Sequence, residues 1–282
     1  MNIVIDAEGT EPLVLNKNMS SLQLRVLSAS VLAPVAVGAL YLGGIYFTLF
    51  MLIAATAMCF EWCKTSFSKN IPAFMALTGL LVLISIYLAY SDQSSSAFVV
   101  LLIGSICIFL LTWLRPNPVE WKGAFLGPLY IGVPVVSLLA LRASENDGFA
   151  LTVSLFFVVW ATDTGAYFAG RSIGGPKIAP SISPNKTWAG LIGGMICAAL
   201  VAILSTEYLM QADISVIIAG FAGALLAVLA QMGDFAESGW KRYFGIKDAS
   251  NIIPGHGGVL DRLDGVLFVA PALYFMNAAI GI

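Results

Sequence analysis

Two aspartates, Asp261 and Asp264, stand three residues apart where the last apolar run of the chain begins. A helix starting there turns both carboxylates to one face. A third, Asp234, closes the preceding apolar run. Carboxylates that converge without surplus cations suit Mg²⁺, which takes oxygen ligands and is commonly held by one or two carboxylates plus substrate phosphates. Asp234, Asp261 and Asp264 are therefore the candidate metal ligands. The stretch Gly233–Gly265 also holds Glu237 and Asp248, the basic residues Lys241, Arg242, Lys247 and Arg262, and the only histidine, His256. Its turn Pro254-Gly255-His256-Gly257-Gly258 lets backbone N–H groups approach an anion closely. Metal, cations and a glycine turn are the equipment of phosphoryl or nucleotidyl transfer, where positioning and charge neutralisation do most of the catalysis. A salted cytoplasmic loop is the plainer reading. No Walker A pattern and no GxGxxG occurs, which sets aside P-loop and Rossmann sites.

Two upstream features bear on the same chemistry. Asp163 lies inside an apolar run, in Trp160-Ala-Thr-Asp163-Thr-Gly-Ala-Tyr167. A carboxylate there costs about 3 kcal/mol on insertion scales and normally faces a polar interior. It is read as the wall of a polar cavity, or else as a helix-packing hydrogen bond. The following segment, GRSIGGPKIAPSISPNKTWAG, carries Arg171, Lys177 and Lys186 among glycines and prolines. Such an irregular cationic loop can hold phosphates; an ordinary basic loop at a membrane surface has the same composition.

The elements that must position these residues are membrane spans. The chain is 59% hydrophobic and 11% charged, with mean hydropathy +0.90. Only helices or closed barrels satisfy the backbone in lipid, and these runs are longer and more continuously apolar than barrel strands. The expectation is an all-α, polytopic membrane protein with about nine transmembrane helices, near residues 25–42, 45–62, 71–90, 97–114, 123–141, 149–169, 188–206, 214–232 and 265–281. Residues 1–24 read as a cytoplasmic tail, 25–141 as the N-terminal and middle spans, and 142–282 as the catalytic region with loops 170–187 and 233–264. Of the 14 lysines and arginines, all but Arg142 fall on one side of this threading. The positive-inside rule then puts the N-terminus and both large loops in the cytoplasm. The four cysteines sit in or beside apolar runs and read as buried hydrophobes.

The pattern running from Ser238-Gly-Trp-Lys241-Arg242 through Lys247-Asp248 and Pro254-Gly-His256-Gly257-Gly258 to Asp261-Arg262-Leu-Asp264 resembles the signature of the phosphatidate cytidylyltransferases (CDP-diacylglycerol synthases). Ser183-Pro-Asn-Lys186-Thr-Trp-Ala-Gly is similar to that family's second block, with Asn185 and Ala189 where lysine and glutamate are usual. Asp163 with Ala166 and Tyr167 is similar to its intramembrane element. The resemblance covers roughly the C-terminal half. It implies transfer of CMP from CTP to phosphatidate, giving CDP-diacylglycerol and pyrophosphate. It also implies Mg²⁺ with a monovalent cation such as K⁺, and a homodimer. Carried over by position, Asp234, Asp261 and Lys241 would be catalytic. Asp163, Arg171, Lys177, Ser183, Lys186, Arg242, Lys247, His256, Gly257, Gly258 and Arg262 would contact substrate. The partners so implied are CTP, phosphatidate and the bilayer of the inner membrane, and no nucleic acid. Two other classes stay open from the residues alone: a cation-coupled transporter using Asp163 and the carboxylates as an ion path, and an inactive relative serving as a membrane scaffold.

Overall fold

The computed structural model describes residues 21–67, 71–113, 118–145 and 147–280; most of the expected N-terminal tail lies outside them. Within them are nine helices and one two-stranded ribbon. The helices are α1 (Ser21–Leu42), α2 (Gly44–Ser66), α3 (Ile71–Tyr90), α4 (Ser94–Trp113), α5 (Pro118–Ala143), α6 (Gly148–Ser172), α7 (Trp188–Ser205), α8 (Val216–Tyr243) and α9 (Leu260–Ile280). Among the described residues, α1 to α8 are long and apolar enough to cross a membrane. The last helix opens on Asp261, Arg262 and Asp264 and is not among the eight. The chain is a polytopic helical membrane protein. Its outer surface is clad in leucine, isoleucine, valine and aromatic side chains, as lipid contact requires. Pro34, Pro128, Pro134 and Pro271 all sit inside helices, where neighbours can compensate the lost backbone bond.

Two packing centres organise the bundle. In the first, α5 contacts α2, α3, α4, α6 and α9 and is the most enclosed of the eight candidate spans. The second is the row α6–α7–α8–α9, in which α6 and α7 make the most extensive contact of the molecule. Glycines permit it: a Cβ on Gly165 would stand 2.7 Å from the Gly193 carbonyl oxygen, so the two backbones approach as small residues allow in membrane helices.

Two sequence expectations change here. The loop expected at 233–264 is shorter, because α8 runs on to Tyr243 and α9 begins at Leu260. Polar residues of that stretch continue the helix by local pairing. Ser238 Oγ donates to Asp234 Oδ1 at 3.4 Å one turn away, and Lys241 Nζ lies 2.6 Å from Glu237 Oε2 in an i,i+4 pair. The segment 170–187 is also more regular than its composition suggests. Gly174 and Gly175 take positive φ values of 68° and 91° as the chain leaves α6. It then forms an antiparallel ribbon of β1 (Lys177–Ala179) and β2 (Ser183–Thr187). The ribbon ends on a helix cap, with Thr187 Oγ1 accepting the Gly190 N–H at 3.1 Å at the start of α7.

Contacts between remote segments define the two ends of the bundle. At one end, the start of α1 meets the 254–256 turn, the end of α2 meets the start of α9, and the start of α5 meets the end of α8. At the other, Arg142 of α5 donates to the Leu40 and Tyr41 carbonyls closing α1. The first end is therefore the one that collects the polar loops.

Candidate active site

The polar side chains singled out by the sequence form two groups, both anchored on α8. Asp234 and Lys241 lie two turns apart on that helix, about 10 Å along its axis.

The first group surrounds a cavity of about 590 Å³. Asp163 and Arg171 reach it from α6, Lys177 from β1, Asn185 and Lys186 from β2, and Asp234 from α8. Lys186 Nζ lies 2.5 Å from Asp234 Oδ2 and 4.6 Å from the centroid of the Phe235 ring, an ion pair backed by a cation–π contact. Asp163, Asp234 and Asp264 are within electrostatic reach of one another, with Lys186 as the cation nearest to them. Arg171 Nη1 donates to Tyr167 Oη at 2.7 Å, and Lys177 Nζ donates to the Asn185 carbonyl at 3.4 Å. Neither has a carboxylate partner among the described residues, so both charges are available to an anionic ligand. Asn185 lines this cavity and Ala189 does not. Ser183 stands in the ribbon opposite Ala179 and is not among the residues lining the cavity.

In the second group, Lys241 Nζ stands between Glu237 Oε2 at 2.6 Å and Asp261 Oδ1 at 2.5 Å. Asp261 Oδ2 accepts the Gly258 N–H at 3.0 Å. Burial opposes ionisation of Asp261, but hydrogen bonding with Glu237, Lys241 and the Gly258 N–H outweighs it and holds the carboxyl below the ordinary carboxylate range.

The glycine turn departs from the anion-binding expectation. The His256 and Gly257 N–H groups both return to the Ile253 carbonyl, at 2.9 and 3.1 Å, and the Gly258 N–H goes to Asp261. The donors of His256, Gly257 and Gly258 are therefore already used, and the turn does not line the cavity. Arg262 braces it instead, donating through Nε and Nη2 to the His256 carbonyl at 2.9 and 2.6 Å. Arg242 Nη1 donates outside the turn, to Ile246 O at 3.2 Å, and Lys247 is exposed. The first helix fastens the turn from outside. His256 Nδ1 is 2.8 Å from Ser28 Oγ, and Arg25 Nε donates to Gly255 O at 2.9 Å.

The three expected metal ligands do not meet in one cluster. Among the described residues no three histidine, cysteine, aspartate or glutamate side chains are gathered to hold an ion, and Asp261 is committed to Lys241 and Gly258. Asp234, itself paired with Lys186, stands with Asp163 on the cavity wall. That donor set suits an ion that takes one or two carboxylates and completes its shell with water and phosphate.

Sequence reasoning passed over Glu61 and the aromatic stack beside it. Glu61 on α2 is fully buried and accepts hydrogen bonds from Ser250 Oγ, the Val259 N–H and the Leu260 N–H, at 2.5, 2.8 and 2.8 Å. Its neighbour Trp62 stacks on Trp240 of α8, with ring centroids 4.4 Å apart, and on Tyr130 of α5 at 5.0 Å. An acid within an apolar helix is a signal in itself, the one that drew notice to Asp163.

The sequence profile of the Cytidylyltransferase family matches residues 23–280. The chain belongs to this family. A protein named phosphatidate cytidylyltransferase from Brucella melitensis is 39% identical over 271 residues, 92% of this chain and 94% of the relative. One of the same name from Staphylococcus saprophyticus is 32% identical over 258 residues, 89% of this chain and 97% of the relative. The motif resemblance was confined to the C-terminal half, whereas the cytidylyltransferase match also takes in α2 and α5. The residues these two helices bring to α8 and α9 thus lie inside the family region.

Proposed function

We infer that this chain is a phosphatidate cytidylyltransferase, joining the CMP moiety of CTP to phosphatidate to give CDP-diacylglycerol and pyrophosphate. The observation that carries the reading is a cavity with Arg171, Lys177 and Lys186 beside Asp234 and Asp163, in a membrane chain of the cytidylyltransferase family.

The phosphate of phosphatidate is already ionised at neutral pH and needs little general-base help. One of its oxygens attacks the α-phosphorus of CTP in line. The new P–O bond forms as the bond to the β-phosphate bridging oxygen breaks, and the electron pair leaves with pyrophosphate. Arg171 and Lys177 attract and orient the phosphates, and Lys186, held by Asp234, offsets charge as it develops. Lys241 does not touch the cavity; its part is to hold Asp261 and Glu237, and with them the start of α9. Mg²⁺ held by Asp234 and Asp163 on the cavity wall would supply neutralisation of the leaving pyrophosphate. A monovalent cation such as K⁺ is proposed beside it on the family resemblance alone.

The polar end of the bundle is taken to face the cytoplasm of a bacterial inner membrane, on the strength of the loop charges and the bacterial relatives. The pairing of two copies is proposed too. Its support, like that of the monovalent cation, is the family resemblance alone.

Purified protein supplied with phosphatidate and each of four radiolabelled nucleoside triphosphates, with and without Mg²⁺, tests the reading. Label should enter lipid from CTP alone and only with Mg²⁺. Absence of labelled lipid with every nucleotide refutes the activity, and labelling without a divalent cation refutes the metal.

A further inference from the structure

The start of α9 carries Asp261 and Asp264, yet neither residue fixes the first turn alone. The leading N–H groups of a helix have no intrahelical acceptor, and the local field there favours a negative charge. Asp261 Oδ2 takes the Gly258 N–H. The next two, Val259 and Leu260, are taken by Glu61, one by each carboxylate oxygen. That carboxylate comes from α2, 198 and 199 residues away in sequence. Glu61 Oε1 also accepts from Ser250 Oγ, and Ser250 Oγ in turn accepts the Ile252 N–H at 3.2 Å. The packing is close enough that a Cβ on Gly258 would lie 2.8 Å from Glu61 Oε1. A fully buried carboxylate is costly unless its lone pairs are met by donors, and here three donors meet it, all from the 250–260 segment.

We propose that Glu61 is a positioning residue for the transfer reaction, a cap supplied from α2 that sets where α9 begins and how it is rotated. The proposal rests on the cytidylyltransferase reading for its reaction, though its structural half stands without it. With Glu61 serving Val259 and Leu260, Asp261 keeps Oδ1 for Lys241, and Asp264 stays within reach of Asp234. Without the Glu61 charge, Asp261 is the remaining carboxylate near the open donors. Its pairing with Lys241 then competes with capping, and the settings of Asp261 and Asp264 are lost together. Glu61 itself does not line the cavity, and the cations that do are on α6, β1 and β2. The proposal therefore predicts a change in turnover with little change in substrate capture.

The test uses full-length protein in detergent, with CTP and phosphatidate in mixed micelles. In Glu61→Gln the side chain keeps its shape but puts an NH₂ group in place of one of the two oxygens on which three donors converge. Hydrogen–deuterium exchange in peptides spanning 244–264 should quicken, while peptides from α4, α6 and α7 exchange as in the wild type. The kcat should fall by about tenfold to a hundredfold, with the KM for CTP within about threefold of wild type. Glu61→Asp, which keeps the charge on a shorter arm, should recover part of both effects, and it also carries the test if the glutamine variant does not fold. Wild-type exchange in 244–264, or wild-type kcat, in Glu61→Gln overturns the proposal. So does faster exchange throughout the molecule with kcat per folded protein unchanged, which is the mark of a purely structural residue. If wild-type protein makes no CDP-lipid, the activity reading has failed, and the exchange data still decide whether Glu61 sets the start of α9.

Discussion

Removing the Lys241 charge would leave Glu237 and Asp261 facing each other with no cation between them. Both carboxylates are well buried, and breaking a buried ion pair by deleting one partner costs about 3–5 kcal/mol. Lys241→Met should therefore lower the thermal midpoint in detergent and reduce turnover together, as read by unfolding followed alongside CTP incorporation. Asp261→Asn is gentler, since the amide can still meet the Gly258 N–H through its oxygen; it should fold and yet be inactive, and near-normal activity would remove Asp261 from the machinery. The same residue sets a pH dependence. Its carboxyl is held below the ordinary carboxylate range, so the stability it contributes is fully present above the unfolded-state value of about 3.9 and is lost as pH falls through the lower folded value. Unfolding midpoints of wild type and Asp261→Asn should then converge only on acidification below pH of about 4.

At the scale of elements, the ribbon and its cap tie the cationic residues to α7. Thr187 is buried and caps α7 through Oγ1, so Thr187→Ala should cost about 1 kcal/mol, with Thr187→Ser restoring most of it in the same unfolding assay. Thr187 also lines the cavity beside Lys186, so one residue of this block both caps the helix and walls the site, a double role that a motif alone does not reveal. The spans were legible because apolar runs of that length have few other uses, and the i,i+3 placing of Asp261 and Asp264 at a helix start follows from spacing. The end of α8 was not legible. Hydropathy stops near Met232, but intrahelical pairing of Asp234 with Ser238 and of Glu237 with Lys241 carries the helix on to Tyr243. The glycine turn misled for a related reason: positive φ at Gly255 and Gly257 marks a backbone able to face an anion, and only the fold shows the His256, Gly257 and Gly258 N–H groups engaged within the protein.

For the whole molecule, the charge bias of the loops and the contacts between remote segments agree on a single polar end. If that end faces the cytoplasm, a cysteine placed at Lys247 should react with a membrane-impermeant thiol reagent in inverted vesicles and not in spheroplasts. One placed at Asp92, in the turn between α3 and α4, should show the reverse. The opposite pattern would invert the topology. What no local reading could supply was the involvement of the N-terminal half. Trp62 and Tyr130 read as ordinary members of apolar helices, and the charge of Glu61 gives no hint of its partners Ser250, Val259 and Leu260, which lie nearly two hundred positions away. This separation has a consequence for how the protein is made. α9 gives two of its leading N–H groups to a carboxylate of α2 that stands 198 and 199 positions earlier, so a long loop closure coincides with completion of the site. A chain interrupted between Ser250 and α9 would leave Glu61 with Ser250 as its one remaining donor and Lys241 without Asp261. Assembly therefore yields either a finished centre or none, and an incomplete chain in the membrane has no partly active form.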